Sequence, residues 1–89
     1  ALGPMDEITV VIHGDTWKLV DIQEDIDWCK AQDWSSATYT RNGDHHHCSI
    51  CWWTLNVSAD PAIGNGYVTG TNSRVWLCTE CFDQFIILL

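Results

Sequence analysis

The sequence predicts a small single-domain α+β fold held together by a metal ion. Three observations point there. Residues 8–20 alternate apolar and polar side chains around a glycine turn. Residues 21–32 repeat apolar side chains at helical spacing. Four cysteines fall in two Cys-x₂-Cys pairs, Cys48/Cys51 and Cys78/Cys81, separated by residues 52–77.

The elements follow in order. Residues 1–4, Ala-Leu-Gly-Pro before Met5, have the look of a tag remnant, so residues 5–89 are taken as the domain. Its halves are 5–44, a hairpin and an acidic helix, and 45–89, the metal-binding half. In the hairpin, Val10 and Ile12 stand on one strand and Trp17, Leu19 and Val20 on the other. His13-Gly14-Asp15-Thr16 forms the turn, with Gly14 free to take a positive φ. Asp21 three residues before Glu24 has the shape of a capping box, which starts a helix running to about Gln32. Ile22, Ile26 and Cys29 share its inner face, and Cys29 is a small core hydrophobe there. Residues 34–44 read as a polar loop ending in Asn42-Gly43-Asp44. After the first cysteine pair, residues 52–57 read as a strand and 60–66 as a loop. Residues 67–69 and 74–77 form a second hairpin around 70–73. A terminal helix then places Phe82, Phe85, Ile86 and Leu89 on one face, with Ile87 and Leu88 pointing elsewhere. Either the N-terminal half covers that second face or a second copy does, in a homodimer through this helix.

Two residues between thiols let both sulfurs reach one ion, so Cys48, Cys51, Cys78 and Cys81 are expected to bind one structural Zn²⁺. A chain of 89 residues buries little apolar surface, and metal binding is then part of its folding free energy. The site has four protein ligands and no open position for a substrate. Two disulfides would require an oxidising compartment, and no secretion signal is evident. A cytoplasmic setting is therefore expected, the sequon at Asn56 stays idle, and no apolar run is long enough for a membrane span.

A cysteine pair, a hairpin, then a second pair at a helix start resembles the treble-clef zinc finger. Cys48 and Cys51 match its knuckle, and Cys78 and Cys81 lead into Phe82-Asp83-Gln84-Phe85. The resemblance covers about residues 45–89 and implies a fold, since treble clefs serve many functions. Leu77-Cys78-Thr79-Glu80-Cys81-Phe82 is similar to the zinc half of HNH endonucleases. Those enzymes place a catalytic Asp-His and a later Asn or His between the pairs, and residues 52–77 contain no histidine. The chain also resembles rubredoxin in size and acidity, but Trp52 and Phe82 stand where rubredoxin knuckles carry glycine. A RING finger is further off, because it needs eight ligands.

Function must then come from the surface. The formal charge is −8. Four thiolates and one divalent ion bring it near −10, counting cysteine as neutral in the starting value. Lys18, Lys30, Arg41 and Arg74 are scattered, so phosphate backbones are repelled and basic proteins attracted. Glu24, Asp25, Asp27 and Trp28 on the acidic helix are the expected partner-binding residues, with Trp28 as an aromatic anchor. Six tryptophans are many for this length, and one of the adjacent pair Trp52 and Trp53 is expected to cover the metal site. His45-His46-His47 reads as a solvated loop, because three adjacent side chains diverge. No nucleophile–base pair or phosphate-cradling loop is evident. A compact acidic protein of this kind suits binding and blocking a basic partner, as bacterial immunity proteins, antitoxins and phage-encoded inhibitors do. A nucleic-acid-associated finger is the alternative, and a rubredoxin-like iron carrier a lesser one.

Overall fold

The computed structural model describes residues 8–70 and 75–87. The expected tag remnant at 1–4, residues 71–73 of the expected second turn with residue 74 of the strand after it, and 88–89 of the expected terminal helix lie outside the described residues.

β1 (Thr9–Ile12) and β2 (Asp15–Lys18) pair antiparallel, with Ile12 opposite Asp15. The turn is tighter than expected and consists of His13 and Gly14, at φ 50° and 82°. Positive φ at both central positions matches the right-handed twist of the strands. Asp15 and Thr16, expected in the turn, already belong to the ladder.

β2 runs straight into α1 (Leu19–Lys30). The expected cap at Asp21 is displaced: the cap lies three residues earlier, at Lys18, with no side-chain cap. The Leu19 N–H donates instead to the carbonyl of Ile8, the residue before β1, at 3.0 Å, so that one of the free N–H groups of the helix start finds a partner. At the far end the Trp28 carbonyl accepts from Ala31 N and Gln32 Nε2. The Cys29 carbonyl accepts from Gln32 N and from Trp34 Nε1 at 2.7 Å. Ile22, Ile26 and Cys29 are buried, as the helical spacing requires.

Residues expected as loop contain β3 (Ser35–Thr38), which pairs antiparallel with β6 (Asn65–Thr69). β6 pairs antiparallel with β7 (Val75–Cys78), giving a three-stranded sheet of order β3-β6-β7. β3 is an edge strand whose one apolar residue is Ala37, so no alternation announces it. Gly66 is required at the centre of this sheet, since a Cβ there would stand 2.6 Å from the Leu77 carbonyl oxygen.

The first cysteine pair tips a short hairpin of β4 (His46–His47) and β5 (Thr54–Leu55). The strand expected over 52–57 shrinks to these two residues. Trp52 sits at φ 66°, and its N–H closes the knuckle on the Cys48 carbonyl at 2.9 Å. The loop expected from 60 to 66 holds α2 (Pro61–Gly64). Asp60 caps it by accepting from Ala62 N, with Pro61 in the first turn. The terminal helix starts as α3 (Thr79–Cys81) and widens into a π-helical stretch, Phe82–Ile87.

The core joins the two halves. Ile12, Ile22, Ile26 and Cys29 meet Ile50, Leu55, Val68, Trp76 and Leu77. Phe82, Phe85 and Ile86 pack against it, Phe82 stacking on Tyr67 at 3.6 Å between ring centres. Ile87 stays exposed. Trp76 is buried and Trp17 partly so, as expected.

Candidate metal centre

The two cysteine pairs reach one place because the knuckle docks against the edge of β7. Ser49 N donates to the Trp76 carbonyl at 2.9 Å, and Cys48 bridges Trp76 in parallel fashion. Cys78 ends β7 and serves as N-cap of α3. The Sγ atoms of Cys48, Cys51, Cys78 and Cys81 then lie within 4.8 Å of one another. Two N–H groups aim at sulfurs in the same way: Ile50 N to Cys48 Sγ and Cys81 N to Cys78 Sγ, each at 3.4 Å. Cys48, Cys78 and Cys81 are buried, and Cys51 is half-buried.

The cluster fits an ion. Cys51 Sγ and Cys78 Sγ are 3.7 Å apart. A tetrahedral ion with metal–sulfur bonds of about 2.3 Å sets its ligands roughly 3.8 Å apart. Electrostatics agree. Cys48 is held far below the ordinary thiol range, because Cys51 and then Cys78 and Cys81 direct S–H donors at it. Cys78 and Cys81 are pushed up, first by their hydrogen bonds to Cys48. Without a cation, the sulfurs cannot all ionise at this spacing. A bound ion offsets the repulsion and displaces the protons. The described residues hold no other group of three or more metal-ligating side chains as close.

Sequence reasoning missed His13. Its Nε2 lies 3.3 Å from Cys78 Sγ, and its Nδ1 lies 3.4 Å from Glu80 Oε1. The backbone N–H of His13 donates to Glu80 Oε2 at 2.7 Å. The ring stacks on Trp53 at 3.7 Å between centres, and Trp53 Nε1 donates to the Ala62 carbonyl. With a proton on Nε2, the ring donates to the thiolate, a contact of the kind that orients and tunes metal ligands. The hairpin turn is thereby fastened to the metal centre. The one local hint is a histidine in a turn where asparagine would be ordinary. Its polar partners, Cys78 and Glu80, lie 65 and more residues away in sequence.

The other expected residues are distributed as follows. Trp53 covers the cluster through His13, while Trp52 is 69% exposed. His46 tilts towards Tyr39 and Trp76, whereas His45 and His47 are exposed, and none joins the cluster. The histidines expected in a loop thus include the two residues of β4. Glu24, Asp25, Asp27 and Trp28 are all exposed on α1. Asp27 accepts from Gln23 Nε2, and none of the four carries an ion pair among the described residues. Asp25 and Trp28 border a groove of about 350 Å³, whose other wall is the knuckle with Cys48 and Trp52. Cys29 is fully buried beneath it, and burial pushes its thiol up to about 12, with Cys48 and Asp25 adding to the shift.

Comparison with protein-family profiles, curated sequences and solved structures returns no significant match. No described helix is long and apolar enough to cross a membrane.

Proposed function

We propose that this chain is a non-enzymatic, zinc-stabilised interaction module that binds and blocks a basic protein, in the manner of an immunity protein, antitoxin or anti-defence inhibitor. Four cysteine sulfurs at tetrahedral spacing suit zinc, and the order of knuckle, hairpin and helix resembles a treble clef. Such a centre shapes the fold and leaves the surface to carry the function.

The observation that carries the reading is the outer face of α1. Glu24, Asp25, Asp27 and Trp28 are exposed there, with no described cation paired to them, on a chain of formal charge −8. Acids at the start of a helix complement its dipole, but Asp25 and Asp27 lie beyond the first turn. Trp28 adds a large amphipathic ring that is 49% exposed.

The test begins with metal analysis, which should return one zinc per chain. The zinc-loaded protein, immobilised at low salt, should retain a basic protein from its host. Glu24→Lys with Asp27→Lys should slow association of that protein at least tenfold and leave the melting temperature unchanged. Unaltered association in the doubly reversed protein would remove α1 from the interface.

A further inference from the structure

We infer that the groove between Trp28 and Trp52 is a subsite for an arginine side chain of the basic partner. The inference rests on the interaction reading above and assigns it a specific contact. The groove is lined by Asp25 and Trp28 of α1, by His47, Cys48 and Trp52 of the knuckle hairpin, and by Val75 at the start of β7. Its lining therefore includes two indoles and a carboxylate.

Charge complementarity selects the occupant. Asp25 supplies one negative charge. The chain as a whole adds to it, with a formal charge of −8. Cations are attracted to such a place, and the faces of tryptophans hold them. Arginine suits it better than lysine, because a planar guanidinium can lie against an indole while its N–H groups donate to a carboxylate.

Trp52 supplies the second argument. It holds a left-handed backbone at φ 66°, where a bulky residue is strained and glycine would be at ease. Its side chain is 69% exposed, so packing returns little for that strain. Within the molecule its described ring contact is with His47, 5.8 Å away between centres and tilted by 48°. Strain at an exposed aromatic is understandable where the ring is used by something outside the chain.

The test uses the zinc-loaded full chain, ¹⁵N-labelled, at low salt. The probe is an acetylated and amidated Gly-Arg-Gly tripeptide, with citrulline and lysine counterparts. Trp28→Phe and Trp52→Phe assign the indole signals. The arginine peptide should shift the indole Nε1–H signals of Trp28 and Trp52 saturably, in roughly the millimolar range expected of one side chain. The citrulline peptide, which lacks the charge, should bind at least tenfold more weakly, and lysine several-fold more weakly. Trp52→Ala and Asp25→Asn should each lower affinity at least fivefold while keeping the metal stoichiometry. If Trp52→Ala loses metal, Trp28→Ala serves instead. Equal binding of citrulline or lysine would overturn the assignment. Shifts confined to Glu24 and Asp27, with both indoles unmoved, would overturn the groove and leave the acidic-helix reading standing. No shift with these peptides or with tetra-lysine would remove both.

Discussion

His13→Ala should speed transfer of the metal to a chelator by roughly tenfold or more, as loss of an outer partner of a metal ligand does. The ring bridges Cys78 and Glu80 and stacks on Trp53. His13→Gln keeps a donor of similar reach and should recover part of the loss, which a purely steric role would not produce. Stopped-flow transfer to a coloured chelator measures both variants. Cys29 should behave oppositely to a reactive thiol. Its thiol is pushed up to about 12 from an ordinary value of 9.0. At pH 8 it should stay silent towards a thiol reagent until the protein is denatured. The sign for stability follows. Below pH 9 the thiol is neutral in both folded and unfolded chains. Between 9 and about 12 the unfolded chain loses the proton and the folded one keeps it, so stability falls as pH rises through that window. Tyr39 makes a third case: its ring is buried and its hydroxyl has no partner among the described residues. Tyr39→Phe should therefore hold or raise the melting temperature, because nothing paired is lost.

At the scale of elements, Gly66→Ala is the sharp test of the central sheet. An added methyl would press on the Leu77 carbonyl and on Trp76, so β6 and β7 must part. A cost of about 2 kcal/mol, read by urea melting, is expected for this overpacking. The hairpin and the β6–β7 pair were legible in the sequence because apolar strands flank a turn signal, and the inner face of α1 because Ile22, Ile26 and Cys29 recur at helical spacing. The cysteine pairs marked the metal centre for the same reason: ligand chemistry leaves a local spacing. β3 left none, since an edge strand of Ser35, Ser36, Ala37 and Thr38 buries almost nothing. The early start of α1 was hidden because the Ile8 carbonyl replaces the cap, and that bond spans the whole hairpin. His13 was hidden for a like reason, as its polar partners Cys78 and Glu80 belong to the other end of the chain. Asp60-Pro61 did carry the signal of α2, a capping acid before proline, but a four-residue helix has no apolar period to reinforce it.

At the scale of the whole molecule, the cysteine cluster sits where the two halves share a core, so an ion held there would tie them together. Cys48, Cys78 and Cys81 are themselves members of that core beside Ile12, Ile26 and Leu77. Cys78→Ser, or complete chelation, should abolish cooperative thermal unfolding and the native circular dichroism spectrum. A native spectrum in the metal-free protein would exclude a folding role for the ion.

The docking of the knuckle on β7 has a consequence for solubility. Ser49 and Cys48 occupy the side of Trp76 that β6 does not, so the knuckle seals that edge of the sheet. The opposite edge, β3, is polar and poor in side chains that could drive pairing. Release of the ion would free an edge carrying Val75, Trp76 and Leu77, a short β-branched and aromatic template for other chains. Metal-starved protein should therefore form thioflavin-binding aggregates, at a rate that rises steeply with concentration. Val75→Lys would place a charge on that edge and should delay them.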